Sequence, residues 1–251
     1  MAVTRYFLGG NTARGFVSFY DGFCRGPEEF LWIIKGGPGC GKSSFMKTIG
    51  HAAEDAGLDT EYVLCSGDPD SVDGVYIPAW HTGYVDGTAP HVIEAVTPGA
   101  AGLYLDLGQF YDRTALQKER RAIEDLQRCY KRLYRDAYAR LAALAAPEVS
   151  MEIPAERQRR FLRAVTCQGL VSAEPPAGAV QLVPEERLRA ALGREDAIVY
   201  CDPLFPDTAE AVYLPAEARY LRGPDTPLPD VQAVISLLAQ AKQLHDELEA
   251  V

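Results

Sequence analysis

The sequence predicts an α/β fold in which a parallel sheet is flanked by helices. The first observation is a continuous apolar run at residues 30–34, which is typical of a strand buried on both faces. The second is a helical pattern over 41–56 that follows at once, and the third is a return to strand-like segments at 60–65 and 83–86. Strands that alternate with helices in this way favour a parallel sheet.

The remaining elements follow from the same patterns, taken along the chain. Gly57 is placed to end the first helix, because glycine readily adopts the left-handed conformation that closes a helix. A short strand is predicted at 75–77. Residues 114–146 repeat apolar side chains every seven positions, as expected of one helix about 50 Å long that Pro147 ends. A second short helix is predicted over 154–162, so that the two form a helical arm.

The last third of the chain shows the same alternation. Strands are predicted at 179–183 and 197–201, around a short helix at 185–192. An amphipathic helix over 230–249 then follows, with Asp230 as its N-cap. This region therefore predicts a second set of α/β elements.

Composition limits the kind of protein that the chain encodes. Its 251 residues are 47% hydrophobic, which is enough for a packed core, and no apolar run approaches the roughly 20 residues that span a bilayer. The first ten residues break at two glycines before a signal-peptide core forms. Six cysteines occur without a Cys-x-x-Cys pair, so neither a zinc site nor a disulfide framework is predicted. We therefore expect a cytoplasmic protein with no membrane partner.

Charge divides the chain into an acidic body and a basic arm. Residues 113–163 hold 13 Lys+Arg against 7 Asp+Glu, a net charge of +6. The formal charge of the whole chain is −10, so the remainder carries −16. An acidic body repels nucleic acid, so a nucleic-acid partner is expected only through the arm. The arm is otherwise a docking surface for an unknown protein partner or a second copy of the chain, or simply a solvated face.

The strongest signal is a glycine-rich motif between the first strand and the first helix. Residues 36–43 read Gly-Gly-Pro-Gly-Cys-Gly-Lys-Ser, which satisfies the Gly-x4-Gly-Lys-Ser pattern of a phosphate-binding P-loop in its required context. Backbone N–H groups and the helix N-terminus face phosphate in such a loop, the lysine reaches the β- and γ-phosphates, and the serine ligates Mg²⁺. The predicted nucleotide-binding residues are Gly36, Gly37, Pro38, Gly39, Cys40, Gly41, Lys42, Ser43 and Ser44, with Lys42 catalytic and Ser43 on the metal.

Nucleotide chemistry also needs a carboxylate near the metal, at the end of a neighbouring strand. Asp86 directly follows a short Gly-Tyr-Val strand segment and fits that position. Other candidates are Asp68, Asp70 and Asp73 in the loop after the second strand, and Asp202 in the second half. The strand-end position alone does not decide between them.

An internal repeat sorts these candidates. Residues 69–78 recur at 206–215, and residues 7–18 recur at 161–172 in the same order, whereas Gly-Lys-Ser is missing from the second copy. Positions that are lost together with the glycine motif are candidates for nucleotide chemistry. Positions that are kept in both copies are interpreted as serving the fold.

The repeat favours Asp86 as the metal-linked carboxylate. Asp70 and Asp73 recur as acidic residues, so both are interpreted as loop structure, and Asp202 is interpreted as a turn residue. Asp86 instead aligns with Arg222, and a metal-linked carboxylate has no purpose where no nucleotide binds. We therefore predict that Asp86 holds Mg²⁺ through water and takes part in catalysis.

Three more residues have weaker predicted roles. Asp68 aligns with an aromatic residue in the second copy, so it is predicted to position water or to act as a second metal-linked group. His91 is a candidate for sensing the γ-phosphate or for orienting water, although a histidine in a loop more often does neither. Asn11 is a candidate for the base or the phosphates. Cys65 aligns with Cys201 and is interpreted as core.

Several of these segments together resemble an uncharacterised bacterial family of predicted P-loop ATPases. The segments are 7–16, the motif at 36–43, residues 68–78 and the Asp-Gly-Thr-Ala-Pro-His sequence at 86–91. Members are typically longer and carry two such domains in tandem, each with its own P-loop. The resemblance is close over about the first 110 residues and looser beyond them. It implies a P-loop ATPase fold, whereas this chain has only one such loop.

The predicted organisation has three parts. Residues 1–112 form a P-loop nucleotide-binding core, 113–163 the basic helical arm, and 164–251 a degenerate repeat of the core that packs with it. The predicted function is an ATP- and Mg²⁺-dependent ATPase of low turnover that acts as a switch on a partner through its arm. ATP is favoured because no guanine-reading Asn-Lys-x-Asp motif is present. A small-molecule or nucleotide kinase and a non-hydrolysing nucleotide-binding assembly module remain open.

Overall fold

The computed structural model describes residues 1–145, 151, 153–175, 179–224 and 227–251. Its first part contains eight strands and three helices: β1 (Val3–Tyr6), β2 (Gly9–Thr12), β3 (Gly15–Ser18), β4 (Phe30–Lys35), α1 (Lys42–Asp55), β5 (Thr60–Leu64), β6 (Val72–Ile77), β7 (Thr82–Asp86), β8 (Gly102–Asp106), α2 (Arg113–Lys118) and α3 (Arg120–Ala142). The second part contains seven strands and two helices: β9 (Gln158–Phe161), β10 (Arg163–Thr166), β11 (Gly169–Ser172), β12 (Ala179–Leu182), α4 (Glu185–Leu192), β13 (Ile198–Cys201), β14 (Ala209–Leu214), β15 (Arg219–Arg222) and α5 (Gln232–Glu249).

The larger sheet is mixed, which corrects the expectation of a parallel sheet. Its strand order is β1-β5-β6-β7-β4-β8. β4 runs parallel to both of its neighbours, β7 and β8, whereas β6 is antiparallel to β5 and to β7. The reason lies in the connections, because a short turn at Pro78–Trp80 joins β6 to β7 and leaves no room for a crossover helix. The α/β class itself is confirmed.

Within the described residues, the smaller sheet repeats this arrangement without an equivalent of β8. Its order is β9-β13-β14-β15-β12, with the same sequence of parallel and antiparallel pairs as β1-β5-β6-β7-β4. A hairpin, β2–β3 or β10–β11, follows the first strand of each half. A turn of the same shape ends at His81 (φ 48°) in one half and at Ala218 (φ 47°) in the other. The sequence repeat therefore has a counterpart in the fold.

The two halves differ most where a strand leads into a helix. In the first half, residues 36–41 connect β4 to α1, which has 14 residues. In the second half, only Val183 and Pro184 connect β12 to α4, which has 8 residues. The second connection is thus too short to form a loop like the first.

The structure also shifts the alignment of the two copies by one residue at two places. β7 and β15 pair with β6 and β14 in the same register, which makes Gly223, and not Arg222, the counterpart of Asp86. Cys65 is the counterpart of Asp202, and not of Cys201, because the two residues donate matching backbone hydrogen bonds to Ser71 and Thr208. The second half has no carboxylate at the position of Asp86 in either alignment.

The predicted helical arm is wrong in three respects. The single helix over 114–146 is divided at Glu119 into α2 and α3, and α3 ends at Ala142. The helix predicted over 154–162 is a turn followed by β9, because this segment pairs with β13 as the edge strand of the smaller sheet. Pro147 lies outside the described residues. α3 is not a free arm, since it packs along α5 and against β2 and β3.

Backbone contacts between matched positions join the two halves. Phe7 and Phe161, which are equivalent in the repeat, form an antiparallel bridge with N···O distances of 2.9 and 2.8 Å. Both side chains are fully buried and belong to one apolar cluster that draws on both halves. Arg14 also contacts the Asp207 carboxylate at 2.6 Å, and Gln168 donates to Asp70 Oδ2 at 2.7 Å. Reciprocal contacts of this kind indicate an approximate two-fold relation between the halves.

Candidate active site

The glycine loop, residues 36–41, lies between the carboxyl end of β4 and the first turn of α1. Gly39 and Gly41 adopt left-handed φ angles of 74° and 86°, and Gly36 has a φ of 149°. Side chains are strained at such angles, so glycine is required for this path. A Cβ atom at Gly36 would also lie 2.5 Å from Cys40 Sγ. The loop therefore brings Gly36 close to the Cys40 side chain at the N-terminus of α1.

The Lys42 side chain turns back over the glycine loop. Its Nζ donates to the carbonyl oxygens of Gly36 and Gly37, both at 2.8 Å, and lies 3.6 Å from Asp86 Oδ2. The Lys42 and Asp86 side chains are 12% and 14% exposed, so this ion pair is largely shielded from water. The Lys42 ammonium is thus held where the loop, α1 and the end of β7 meet.

Asp86 occupies the strand-end position that the sequence predicted for it. It ends β7, which is parallel to β4 and places Asp86 beside Ile34. Its Oδ1 accepts from both N (2.8 Å) and Oγ1 (2.5 Å) of Thr88. These two hydrogen bonds fix the carboxylate, so Oδ2 is the oxygen that faces Lys42.

A second carboxylate, which the sequence analysis missed, flanks the glycine loop on the other side. Asp106 ends β8, which is also parallel to β4 and places Asp106 beside Lys35. Its Oδ1 accepts from Gly108 N at 2.8 Å. The signal was present in the sequence as the apolar segment 103–105 followed by an aspartate, and a strand-end aspartate is also what made Asp86 a candidate.

Other residues of the predicted loop set anchor the loop to its surroundings. Ser43 Oγ accepts from Val72 N at 3.0 Å, which ties the start of α1 to β6. The carbonyl of Ser44 accepts from Thr48 Oγ1, and the carbonyl of Pro38 accepts from Tyr111 Oη at 2.6 Å. The structure therefore brings Ser43, Lys42 and Asp86 to one end of the sheet.

Asp68 is held by α5 of the second half. Its Oδ2 accepts from Ser71 Oγ at 3.0 Å and lies 3.3 Å from Lys242 Nζ. Its Oδ1 accepts from Asp70 N at 3.2 Å. These contacts give Asp68 a role in a turn and in the contact between the halves, while its predicted part in catalysis stays a prediction.

Asn11 is likewise bound by protein groups. It is 1% exposed, and its Nδ2 donates to the carbonyls of Ser66 (3.2 Å) and Val165 (2.8 Å). Its Oδ1 accepts from Tyr138 Oη on α3 at 2.9 Å. Each side-chain polar atom of Asn11 therefore has a protein partner where both halves and α3 meet, and its contact with nucleotide stays a prediction.

Asp86 also belongs to a cluster of three side chains, two of them buried. One potential ligand atom each from Asp73, Asp86 and His91 lie within 4.8 Å of one another. Asp73 is a residue of β6 and is 7% exposed, so its interpretation as loop structure is wrong. Its carboxylate Oδ2 accepts from Tyr20 Oη at 3.0 Å.

The electrostatics of this cluster are unfavourable for negative charge. Burial raises the pKa of the Asp73 carboxyl; neighbouring His91 opposes this effect and neighbouring Asp86 adds to it. Burial, and then the Asp73 charge, likewise raises the pKa of Tyr20 and that of Cys65. Two carboxylates thus share a poorly solvated region beside the glycine loop.

The described residues contain no helix that is long and apolar enough to cross a membrane. No family model, no curated protein and no solved structure matches the chain. Inference about its activity therefore depends on the geometry of its own residues.

Proposed function

We propose that the protein binds a nucleoside triphosphate with Mg²⁺ at the glycine loop and hydrolyses it slowly, as a switch that acts on a partner. The observation that carries the proposal is the shielded Lys42–Asp86 pair, 3.6 Å apart, where the glycine loop meets α1 and the end of a parallel strand. Phosphate binding needs a positive charge, free backbone N–H groups and a helix N-terminus, and these three features coincide here.

The residues of the site fit a phosphate chain and its metal. Glycines at 36, 39 and 41 leave room for phosphate oxygens to approach the backbone, since side chains at these positions would be strained. The first turn of α1 presents N–H groups that have no acceptor within the helix. Ser43 Oγ and Asp86 Oδ2 are the oxygens suited to hold Mg²⁺, directly and through water. When bound, Mg²⁺ neutralises charge on the phosphates.

The chemistry assigned to the chain's own groups is charge neutralisation and positioning. Lys42 Nζ exchanges its hydrogen bonds to Gly36 and Gly37 for hydrogen bonds to the β- and γ-phosphates. Asp86 keeps its orientation through Thr88. Water adds to the γ-phosphorus as the bond to the β-phosphate oxygen breaks, which releases the diphosphate, inorganic phosphate and a proton.

The proposed route to a partner is the exposed basic face of α3. Arg121, Arg128, Lys131, Arg132 and Arg135 are exposed on this helix. α3 packs on α5, and the carboxyl end of α5 lies beside the glycine loop, since a Cβ at Gly39 would be 3.0 Å from Glu249 O. A change in the loop therefore has a short structural path to α3 through α5.

Phosphate release from labelled ATP tests the proposed activity. We expect slow, Mg²⁺-dependent release of inorganic phosphate from purified protein. Transfer of label to a metabolite mixture would support a kinase instead, and tight binding without turnover, even with added cell extract, would support a non-hydrolysing module.

Two matched aspartate variants refine this test. Asp86→Asn is expected to lower turnover about 100-fold, because it removes one preorganised group, and to spare ATP binding. Asp106→Asn, at the equivalent position on the other flank of the loop, is expected to leave turnover near that of the unaltered protein. Loss of turnover in Asp106→Asn alone would contradict the assignment of Asp86.

A further inference from the structure

The cluster of Asp73, Asp86 and His91 is assembled from three separate parts of the chain. Asp73 belongs to β6, Asp86 ends the neighbouring strand β7, and His91 lies in the segment after β7. β6 and β7 are adjacent, so the two carboxylates lie on neighbouring strands. His91 lies outside the sheet, in the segment that follows β7. The three ligand atoms lie within 4.8 Å of one another.

His91 is the unusual member of this cluster. Its side chain is 6% exposed, and within the described residues neither ring nitrogen has a hydrogen-bond partner. A buried polar group without a partner costs about 1–3 kcal/mol and is rare in folded proteins. The ring is nevertheless held in place, since it stacks on Tyr20 with the ring centroids 4.6 Å apart. Nε2 is directed at Asp73 Oδ2, 3.9 Å away.

The distances between these groups suit one cation bound by all three side chains better than they suit direct hydrogen bonds. Two ligand atoms that are each about 2.1 Å from one metal ion lie about 3–4 Å apart. The distance of 3.9 Å between His91 Nε2 and Asp73 Oδ2 is within this range and is too long for a hydrogen bond. A divalent cation would also offset the repulsion between two buried carboxylates.

We propose that Asp73, Asp86 and His91 form a site for a divalent transition-metal ion. The imidazole decides the class of metal, because Mn²⁺, Fe²⁺, Co²⁺ and Zn²⁺ accept histidine nitrogen, whereas Mg²⁺ strongly prefers oxygen ligands. The site goes beyond the proposed function and does not require nucleotide. It shares Asp86 with the nucleotide site, so Lys42 and the cation compete for the same carboxylate.

Binding of Mn²⁺ alone tests this site. Metal-stripped protein is titrated with Mn²⁺ in the absence of nucleotide, and free Mn²⁺ is measured from its electron paramagnetic resonance signal. We expect one Mn²⁺ per chain, and an equal concentration of Mg²⁺ is expected not to displace it. His91→Gln and Asp73→Asn are each expected to weaken binding at least ~10-fold. Circular dichroism of each variant establishes that it folds.

The control is the exposed cluster of His245, Asp246 and Glu249 on α5, the other group of this kind in the described residues. His245→Gln is expected to leave Mn²⁺ affinity unchanged. Lys42→Ala is expected to weaken ATP binding about 100-fold yet to tighten Mn²⁺ binding, because it removes the ammonium that competes for Asp86. The proposal is overturned if the unaltered protein binds no Mn²⁺, if folded His91→Gln and Asp73→Asn keep full affinity, or if His245→Gln alone loses it. If the protein binds Mn²⁺ but does not bind ATP, this result would contradict only the proposed function and not the metal site.

Discussion

The Lys42 ammonium organises the glycine loop at the scale of single residues. It bonds two loop carbonyls and faces Asp86, and this arrangement follows from local sequence, since residues 36–43 are consecutive. A motif of this kind was predictable because its glycines, lysine and serine act within one turn of chain. Asp73 and His91 were not, because their contact depends on how β6, β7 and the following segment pack.

The internal repeat misled the interpretation of Asp73 for a physical reason. Its counterpart, Glu210, is also acidic, so both positions looked alike in the sequence. Glu210, however, lies 2.9 Å from Arg163 Nε and 3.7 Å from Arg222 Nη2, whereas Asp73 faces Asp86 and His91. Acidic residues at equivalent positions are thus paired with arginines in the second half and placed beside a second carboxylate in the first.

A pair of glycine variants tests the close fit of the loop. Gly39 and Gly57 have similar φ angles, 74° and 77°, but an added Cβ meets Glu249 O at 3.0 Å only at Gly39 and has no neighbour within 4 Å at Gly57. Gly57→Ala is expected to cost about 1–2 kcal/mol through backbone strain alone. Gly39→Ala is expected to cost more, as measured by urea unfolding. Equal losses would show that α5 does not press on the loop.

At the scale of elements, the single helix predicted over 114–146 shows what an apolar period in the sequence can indicate and what it cannot. The apolar stripe is real, since Ala137 and Leu141 are fully buried and Tyr134 and Tyr138 face inward. The stripe identifies a helical face, but nothing in the period says what covers that face. Here α5 and the β2–β3 hairpin cover it, so the helix became part of the core and not an arm.

Several strands were predicted with nearly correct ends, whereas others were not recognised. The apolar run of β4 was recognised with nearly correct ends, and its Leu31, Ile33 and Ile34 are buried. β8 was missed, although Leu103, Tyr104 and Leu105 form a short apolar run before Asp106. β9 was predicted as helix, because its arginines carry no strand signal until β13 supplies a partner.

At the scale of the whole molecule, the main apolar cluster belongs to both halves. This cluster includes Tyr6 and Phe7 from the first half and Phe161, Leu162 and Tyr220 from the second. The repeat indicated two related sets of elements. It did not indicate that equivalent phenylalanines would pair across their interface, which is a property of assembly and not of either copy alone.

Cooperative unfolding is the prediction at this scale. Both tryptophans, Trp32 and Trp80, lie in the first half, so their fluorescence reports that half, whereas far-ultraviolet circular dichroism reports the whole chain. We expect the two signals to change at the same urea concentration, because neither half keeps its core without the other. A fluorescence transition clearly separated from the dichroism transition would contradict a shared core.

The nucleotide site is tested most directly by equilibrium binding of labelled ATP with Mg²⁺ to three forms of the protein. The unaltered chain is expected to bind, and Lys42→Ala is expected to lose about 100-fold in affinity, because it removes the charge that neutralises the phosphates. Lys47→Ala, which removes a positive charge from the same helix but outside the loop, is expected to change affinity less than about threefold. Full ATP affinity in Lys42→Ala, or equal losses in the two variants, would contradict a phosphate site at the glycine loop.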